Sequence, residues 1–159
     1  MRRHMKGFTL VEIIIVVLLL AILAAIAIPN ITGVTVVSRE TNLKENLSKI
    51  RVHIQVYRNE HADFPDGANL GDRLTKHTDF HGNVSDVRTD THRFGPYIEQ
   101  MPANPITGSR GIRISGDPSE YFPPGDVDGG WWYNEVTGRF YADLTVAHVD
   151  DQGDYYNQY

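Results

Sequence analysis

An α+β fold is predicted for this 159-residue chain: a long N-terminal α-helix, its first half apolar enough to be transmembrane, packed through its second half on a small antiparallel β-sheet. Three observations predict it. Leu10 to Ile28 is an apolar run whose only polar member is Glu12. Leu43, Leu47, Ile50, Ile54, Tyr57 and His61 recur at the three-and-four spacing of one helix face. WWYNEVTGRFYADL, residues 131–144, sets Trp131–Tyr133 against Arg139–Leu144 around a turn ending in Gly138. The length and a hydrophobic content of 41% hold one modest domain with accessories and exclude a multidomain enzyme. The chain has no cysteine, which excludes a disulfide framework, Cys-ligated metal and a thiol nucleophile.

The first element decides the class. Arg2, Arg3 and Lys6 precede the apolar run, and its nineteen residues reach about 28 Å as a helix, close to the hydrocarbon thickness of a bilayer. Basic residues stay on the cytoplasmic side, so the N-terminus is expected inside and everything beyond Pro29 outside. A secretory signal peptide is the competing reading. Ala25-Ile26-Ala27 has the A-x-A form and would give a mature start at Ile28, but the run exceeds the usual roughly 7 to 15 apolar residues and Pro29 lies just past the cut. A plain anchor leaves Glu12 unexplained, because a carboxylate deep in a bilayer costs roughly 2.5 to 3.5 kcal/mol.

The string GFTLVE at Gly7 to Glu12, between a short basic leader and an unbroken apolar helix, resembles the processing site of the type IV pilin and type II secretion pseudopilin superfamily, most like its major-type, general secretion G-like pseudopilins. The resemblance implies the pilin fold, with cleavage between Gly7 and Phe8 by a prepilin peptidase and N-methylation of the new Phe8 amine. It implies a leader at 1–7, a membrane and filament-core half of the helix at 8–28, a soluble half at 29–61 and an extracytoplasmic domain at 62–159. The function implied is non-enzymatic: a subunit of a type II secretion pseudopilus that exports proteins across the outer membrane. The alternatives are a type IV pilus subunit for adhesion, motility or DNA uptake, and a secreted or anchored binding module. Implied partners are the peptidase, further copies and other pilins, an inner-membrane platform protein, an assembly ATPase and the membrane itself.

By the same resemblance Phe8, Glu12 and Pro29 serve assembly. The Glu12 carboxylate is expected to attract the Phe8 amine of a neighbouring subunit, so that a buried charge gains a partner, or to meet its own Phe8 amine about one turn away in the membrane-resident monomer. Pro29 matches the family's proline, while Ala21 stands where many members carry a glycine. The helix end VYRNEHADFP resembles the pseudopilin pattern in which a tyrosine, an acid and an aromatic-proline pair close the long helix.

Further along, Pro29 is expected to kink or interrupt the helix, which then resumes from about Thr32 to His61 with Glu40/Lys44 and Glu45/Lys49 as i,i+4 pairs. Asn69 to His77 reads as a short helix and Thr78 to Arg93 as a loop. Phe94 to Gly108 is turn-rich and resembles the segment leading into the sheet of major pseudopilins. Gly111 to Ser115 alternates as a strand. The aromatics of the 131–141 hairpin alternate, so one set is expected on the Leu47, Ile54, Tyr57 stripe and the other facing neighbours. The tail DQGDYYNQY has no pattern and is expected to fray.

Residues 62–159 carry sixteen acidic against seven basic residues, which disfavours nucleic-acid binding. His77 and His81 have i,i+4 spacing, readable as a transition-metal pair or as two solvated histidines. Asp117, Asp126 and Asp128 lie on a Gly-rich stretch, where they are candidates for a weak calcium site or are turn aspartates bonding local backbone. The resemblance allows calcium as the only cofactor and requires none. The missing cysteines remove the disulfide loop common in type IVa pilins, which tilts the resemblance toward a pseudopilin.

Overall fold

The computed structural model describes residues 9–145, 148–150 and 153–159, except for the side chains of 25–35 and 157. The chain divides into two units, Met1–Ser38 and Arg39–Tyr159. Helix α1, Leu10–His61, contributes to both, and its backbone stays helical through Pro29 and Gly33, so the interruption expected there is not found.

In the first unit every large apolar side chain of α1 from Leu10 to Leu23 is at least 49% exposed. Among the described residues no helix is long and apolar enough to cross a membrane. The run expected to do so, Leu10 to Ile28, ends in residues whose side chains lie outside the described set.

In the second unit the expected stripe is the helix's core face. Leu43, Leu47, Ile50, Ile54 and Tyr57 are each no more than 1% exposed. His61 closes the stripe as a satisfied core residue, its ring stacked on Tyr57 at 3.8 Å and its nitrogens 2.9 Å from the Tyr57 carbonyl and 3.0 Å from Thr78 Oγ1. The helix stops there because Ala62 takes φ 63°, a left-handed C-terminal turn.

After α1, Asp66 caps a 3-10 turn, Gly67–Asn69, by accepting the Ala68 N–H at 2.8 Å. Helix α2 follows at Leu70–Thr75 and buries Leu70 and Leu74. It ends before His77, which the sequence assigns to the helix; His77–Thr78 is strand β1, antiparallel to β2, Val84–Ser85. The stretch expected to be a loop is therefore partly a ladder. Its anchor is Thr78, fully buried and exchanging backbone hydrogen bonds of 3.0 and 3.1 Å with Phe94.

The main sheet orders β3 (Ile112–Ser115), β4 (Trp131–Asn134) and β5 (Arg139–Ala142) side by side. The β4–β5 hairpin is antiparallel with Tyr133 opposite Phe140, as expected. The pair β3–β4 is parallel, Ile112 opposite Trp131, so the sheet is mixed rather than antiparallel. Parallel pairing needs a crossover of roughly a dozen residues or more, and residues 116–130 supply it.

Alternation divides the aromatics. Trp131, Tyr133 and Phe140 join the cluster with the α1 stripe, Leu70, Leu74, Ala142 and Leu144. Trp132 lies outside that cluster yet is only 1% exposed. It is not the neighbour-facing residue the alternation suggested, because the opposite sheet face is itself covered, with Tyr141 at 6.0 Å from Trp132 and Phe122 of the crossover at 5.4 Å from Tyr141. Each large side chain fully buried here contributes about 1.5 to 3 kcal/mol.

The tail is docked rather than frayed. Tyr155 bridges Val149, Tyr156 is 4% exposed and its hydroxyl donates to Glu40 Oε1 at 2.6 Å. Arg51 donates to the Phe140 carbonyl at 2.8 Å and to the Tyr159 carbonyl, which ties the edge strand and the tail to α1. Lys44 stands 4.2 Å over the Tyr159 ring.

Candidate functional site

The first candidate is the start of α1. Gly7 and Phe8 lie outside the described residues, and Pro29 is described only by its backbone. Thr9 and Glu12 form a reciprocal cap: the Thr9 hydroxyl accepts the Glu12 N–H at 3.3 Å, while Glu12 Oε2 accepts the Thr9 N–H at 2.8 Å and the Thr9 hydroxyl at 2.9 Å. Two helix-end donors are thereby satisfied and the carboxylate is held at the first turn. The T-x-x-E signature was open to inspection in TLVE, but the sequence reading treated Glu12 only as a charge awaiting an amine. Glu12 also suits the positive end of the helix dipole.

The second candidate is the crossover with its three aspartates, and the structure does not bring them together. Asp117 closes a local turn, accepting the Ser119 N–H at 2.8 Å and the Ser119 hydroxyl at 2.7 Å, and these bonds hold its carboxyl below the ordinary value. Asp126 Oδ2 pairs with Arg113 Nη2 at 3.0 Å, and Asp126 Oδ1 accepts the Asp128 N–H at 3.2 Å. Asp128 is exposed.

Arg113 Nε also donates to Asp143 Oδ2 at 2.7 Å, on a carboxylate only 3% exposed. Burial pushes the Asp143 carboxyl above its ordinary value, and Arg113 opposes that rise. Calcium needs six to eight oxygens, and among the described residues no group of three or more His, Asp or Glu is placed to hold a metal ion. The residues present do not fit the ion, because a guanidinium already occupies the gap between the two best carboxylates. Sequence reading missed Arg113 and Asp143, since nothing in local spacing links a strand residue to acids on other segments.

The histidine pair fails for a different reason. His77 sits in β1 and His81 in the turn before β2, so they share no helix face. Next to the end of α1 lies a cleft of about 430 Å³ lined in part by Tyr57, Asp63, Asp66, Arg73 and Glu135. Its acids hold backbone in place: Asp63 accepts the Phe64 N–H, Asp66 the Ala68 N–H and Glu135 the Gly67 N–H, each at 2.8 to 2.9 Å.

A helix start built around Thr9 and Glu12 is followed by an exposed apolar face and a helix-on-sheet unit, an α+β arrangement of pilin-like type. The prokaryotic N-terminal methylation motif family matches residues 2–28. Type II secretion system core protein G of Pseudomonas aeruginosa is 26% identical over 124 residues, 78% of each chain. The core protein G of Vibrio cholerae is 26% identical over 125 residues, 78% of this chain and 75% of its own. The type IV major pilin protein PilA of Myxococcus xanthus is 39% identical over 64 residues, 40% of this chain and 29% of its own. No solved structure matches. The chain is similar to the pilin and pseudopilin superfamily, and over most of its length to the type II secretion core protein G relatives.

Proposed function

We propose that the chain is a structural subunit of a type II secretion pseudopilus. The observation that carries this reading is the joint match of the methylation motif at residues 2–28 and of core protein G relatives over 78% of the chain. In this reading a prepilin peptidase cuts between Gly7 and Phe8 and methylates Phe8. The helix then anchors the protein once across the inner membrane, N-terminus in the cytoplasm and outer unit in the periplasm, until a platform protein and an assembly ATPase feed it into the filament with its copies and other pilins.

The exposed apolar side chains of Leu10 to Leu23 supply the packing surface. The Thr9–Glu12 cap uses only atoms that cleavage leaves in place. Assembly therefore exchanges a local hydroxyl contact at Glu12 for a neighbour's amine, and this exchange sets register. The type IV pilus reading rests on the 64-residue similarity to the Myxococcus major pilin, which covers 40% of this chain and 29% of that protein.

The test is the intact mass and N-terminal peptide of the protein from native membranes, followed by deletion of its gene. N-methylated Phe8 with loss of exported protein supports the proposal. A mature start at Ile28, or Met1–Gly7 retained beside an active peptidase, overturns it, and lost pili with normal export moves it to the type IV reading.

A further inference from the structure

We infer that the cleft at the end of α1 is a socket for a basic side chain of a second copy of this chain, supplied by the 39–49 stretch of that copy's α1. The inference deepens the pseudopilus reading and rests on it for one thing, that copies lie side by side along their helices.

The cleft of about 430 Å³ is lined by the carboxylates of Asp63, Asp66 and Glu135 and by the rings of Phe64 and Phe80. Each acid gives one oxygen to a backbone N–H, which fixes its position, and Asp63 Oδ2 and Glu135 Oε1 are left without a partner among the described residues. The cleft's own cation is held away from them. Arg73 Nη1 donates to the Tyr57 hydroxyl at 3.2 Å, and Nη2 stands 3.7 Å from Asp66 Oδ2. Gly82, at φ 79°, lies so close that any Cβ there would collide with the Tyr57 hydroxyl and Arg73 Nη1, so the turn before β2 keeps that guanidinium down. Arg58, the other base nearby, lies over the Phe64 ring at 4.5 Å.

These features select the class of ligand. Among the described residues no three acids or histidines are placed to hold a metal ion. A guanidinium or ammonium brings several N–H donors spread over its own width, and Phe80, 54% exposed, offers its ring to the same cation.

Charge complementarity selects the molecule that supplies it. Residues 62–159 carry sixteen acidic against seven basic residues, whereas 39–49 holds Arg39, Lys44 and Lys49. All three bases are exposed. Of the two acids in that stretch, Glu40 is buried beneath the Tyr156 hydroxyl, and Glu45 meets Lys49 only as a 3.9 Å surface pair, a weak competitor. Lys49 and Arg39 stand about 18 and about 33 Å along the helix from His61, too far to fill the cleft of their own copy. A neighbour shifted along α1 by such a distance brings its bases to the cleft. The contact is heterologous, so each added copy leaves a free cleft at one end and free bases at the other, and the assembly extends instead of closing as a pair.

The experiment is zero-length carbodiimide crosslinking of the full chain in native membranes and in sheared filaments, with the crosslinked peptides identified by mass spectrometry. Dimers are expected in which Asp63, Asp66 or Glu135 is joined to Lys44 or Lys49, or to position 39 in the Arg39→Lys variant. Asp63→Asn combined with Glu135→Gln keeps an oxygen for the Phe64 and Gly67 N–H groups. That variant is expected to keep its melting temperature and to lose about fivefold or more of the crosslinking at Asp66. Absence of dimers, dimers joined only at other pairs, or undiminished crosslinking at Asp66 overturns the inference. Phe8 methylation is read in the same samples: methylated chains without cleft crosslinks sink the inference alone, and cleft crosslinks between unmethylated chains leave it standing while the prepilin reading falls.

Discussion

The two units of the chain obey opposite rules. From Leu10 to Leu23 a helix exists with every large apolar side chain at least 49% exposed, held at its start by the Thr9–Glu12 cap. From Arg39 onward the same α1 buries Leu43, Leu47, Ile50, Ile54 and Tyr57 at 1% or less against strands and a docked tail. The cap satisfies donors at the start of the helix in the first unit, but an apolar surface of that extent needs lipid or other helices against it. The second unit carries its own core. Folding and assembly are accordingly written in different residues, and a change in the helix start or in the core should leave the other's property standing.

The strongest way to break that separation is to empty the core. Trp131 is fully buried and its Nε1 donates to the Pro102 carbonyl at 2.9 Å. Trp131→Ala is expected to destabilise the second unit by about 3 to 5 kcal/mol, read from denaturant unfolding followed through Trp132. Phe8 methylation should persist in that variant, since the processing motif lies in the other unit; its loss would show that the units are coupled. The reciprocal change is Glu12→Ala. Filament yield is expected to fall about tenfold or more as the neighbour's amine loses its partner, with cleavage and the unfolding midpoint unchanged. Normal yield would contradict the role given to Glu12.

How far each region was legible follows from the range of the interactions involved. The α1 stripe and the Trp131–Ala142 hairpin are local patterns, and both stand as expected. The GFTLVE motif was readable because it is contiguous. The parallel partnership of β3 with β4 was not, because it depends on the path of residues 116–130 rather than on either strand's composition. Arg113 meets Asp126 and Asp143 only after three segments converge, so its neighbours left no spacing signal. The tail misled for a related reason: Tyr155 to Tyr159 have no periodicity, and their order comes from Glu40 and Arg51 far away in sequence.

That tail provides a finer comparison within the second unit. Glu40 is 7% exposed on α1, and the Tyr156 hydroxyl donates to it at 2.6 Å. Tyr156→Phe keeps the ring in the core and removes the donor, leaving a buried carboxylate short of a partner. A loss of about 1.5 kcal/mol is expected, together with faster hydrogen exchange confined to residues 148–159. If exchange quickens across the sheet as well, the tail is part of the core's cooperative unit rather than a strap laid on it.

The smallest expected effect compares two carboxylates of opposite sign. Asp117 is held below its ordinary value of 3.8 by the Ser119 hydroxyl and N–H, so its contribution to stability is present above 3.8 and is lost as pH falls through the lower folded value. Asp143 is raised by burial against the pull of Arg113; its contribution is present below the ordinary value and is lost as pH rises through the folded one. Asp117→Asn keeps an oxygen for the Ser119 turn and removes only the charge. It is expected to flatten the decline in melting temperature between about pH 5 and about pH 2. Asp143→Asn is expected to steepen the same decline, because it removes the carboxylate that gains on acidification. Parallel curves for the two variants would mean that neither loop carboxylate is coupled to folding, and that the acid response of the second unit comes from elsewhere in its nineteen acidic residues.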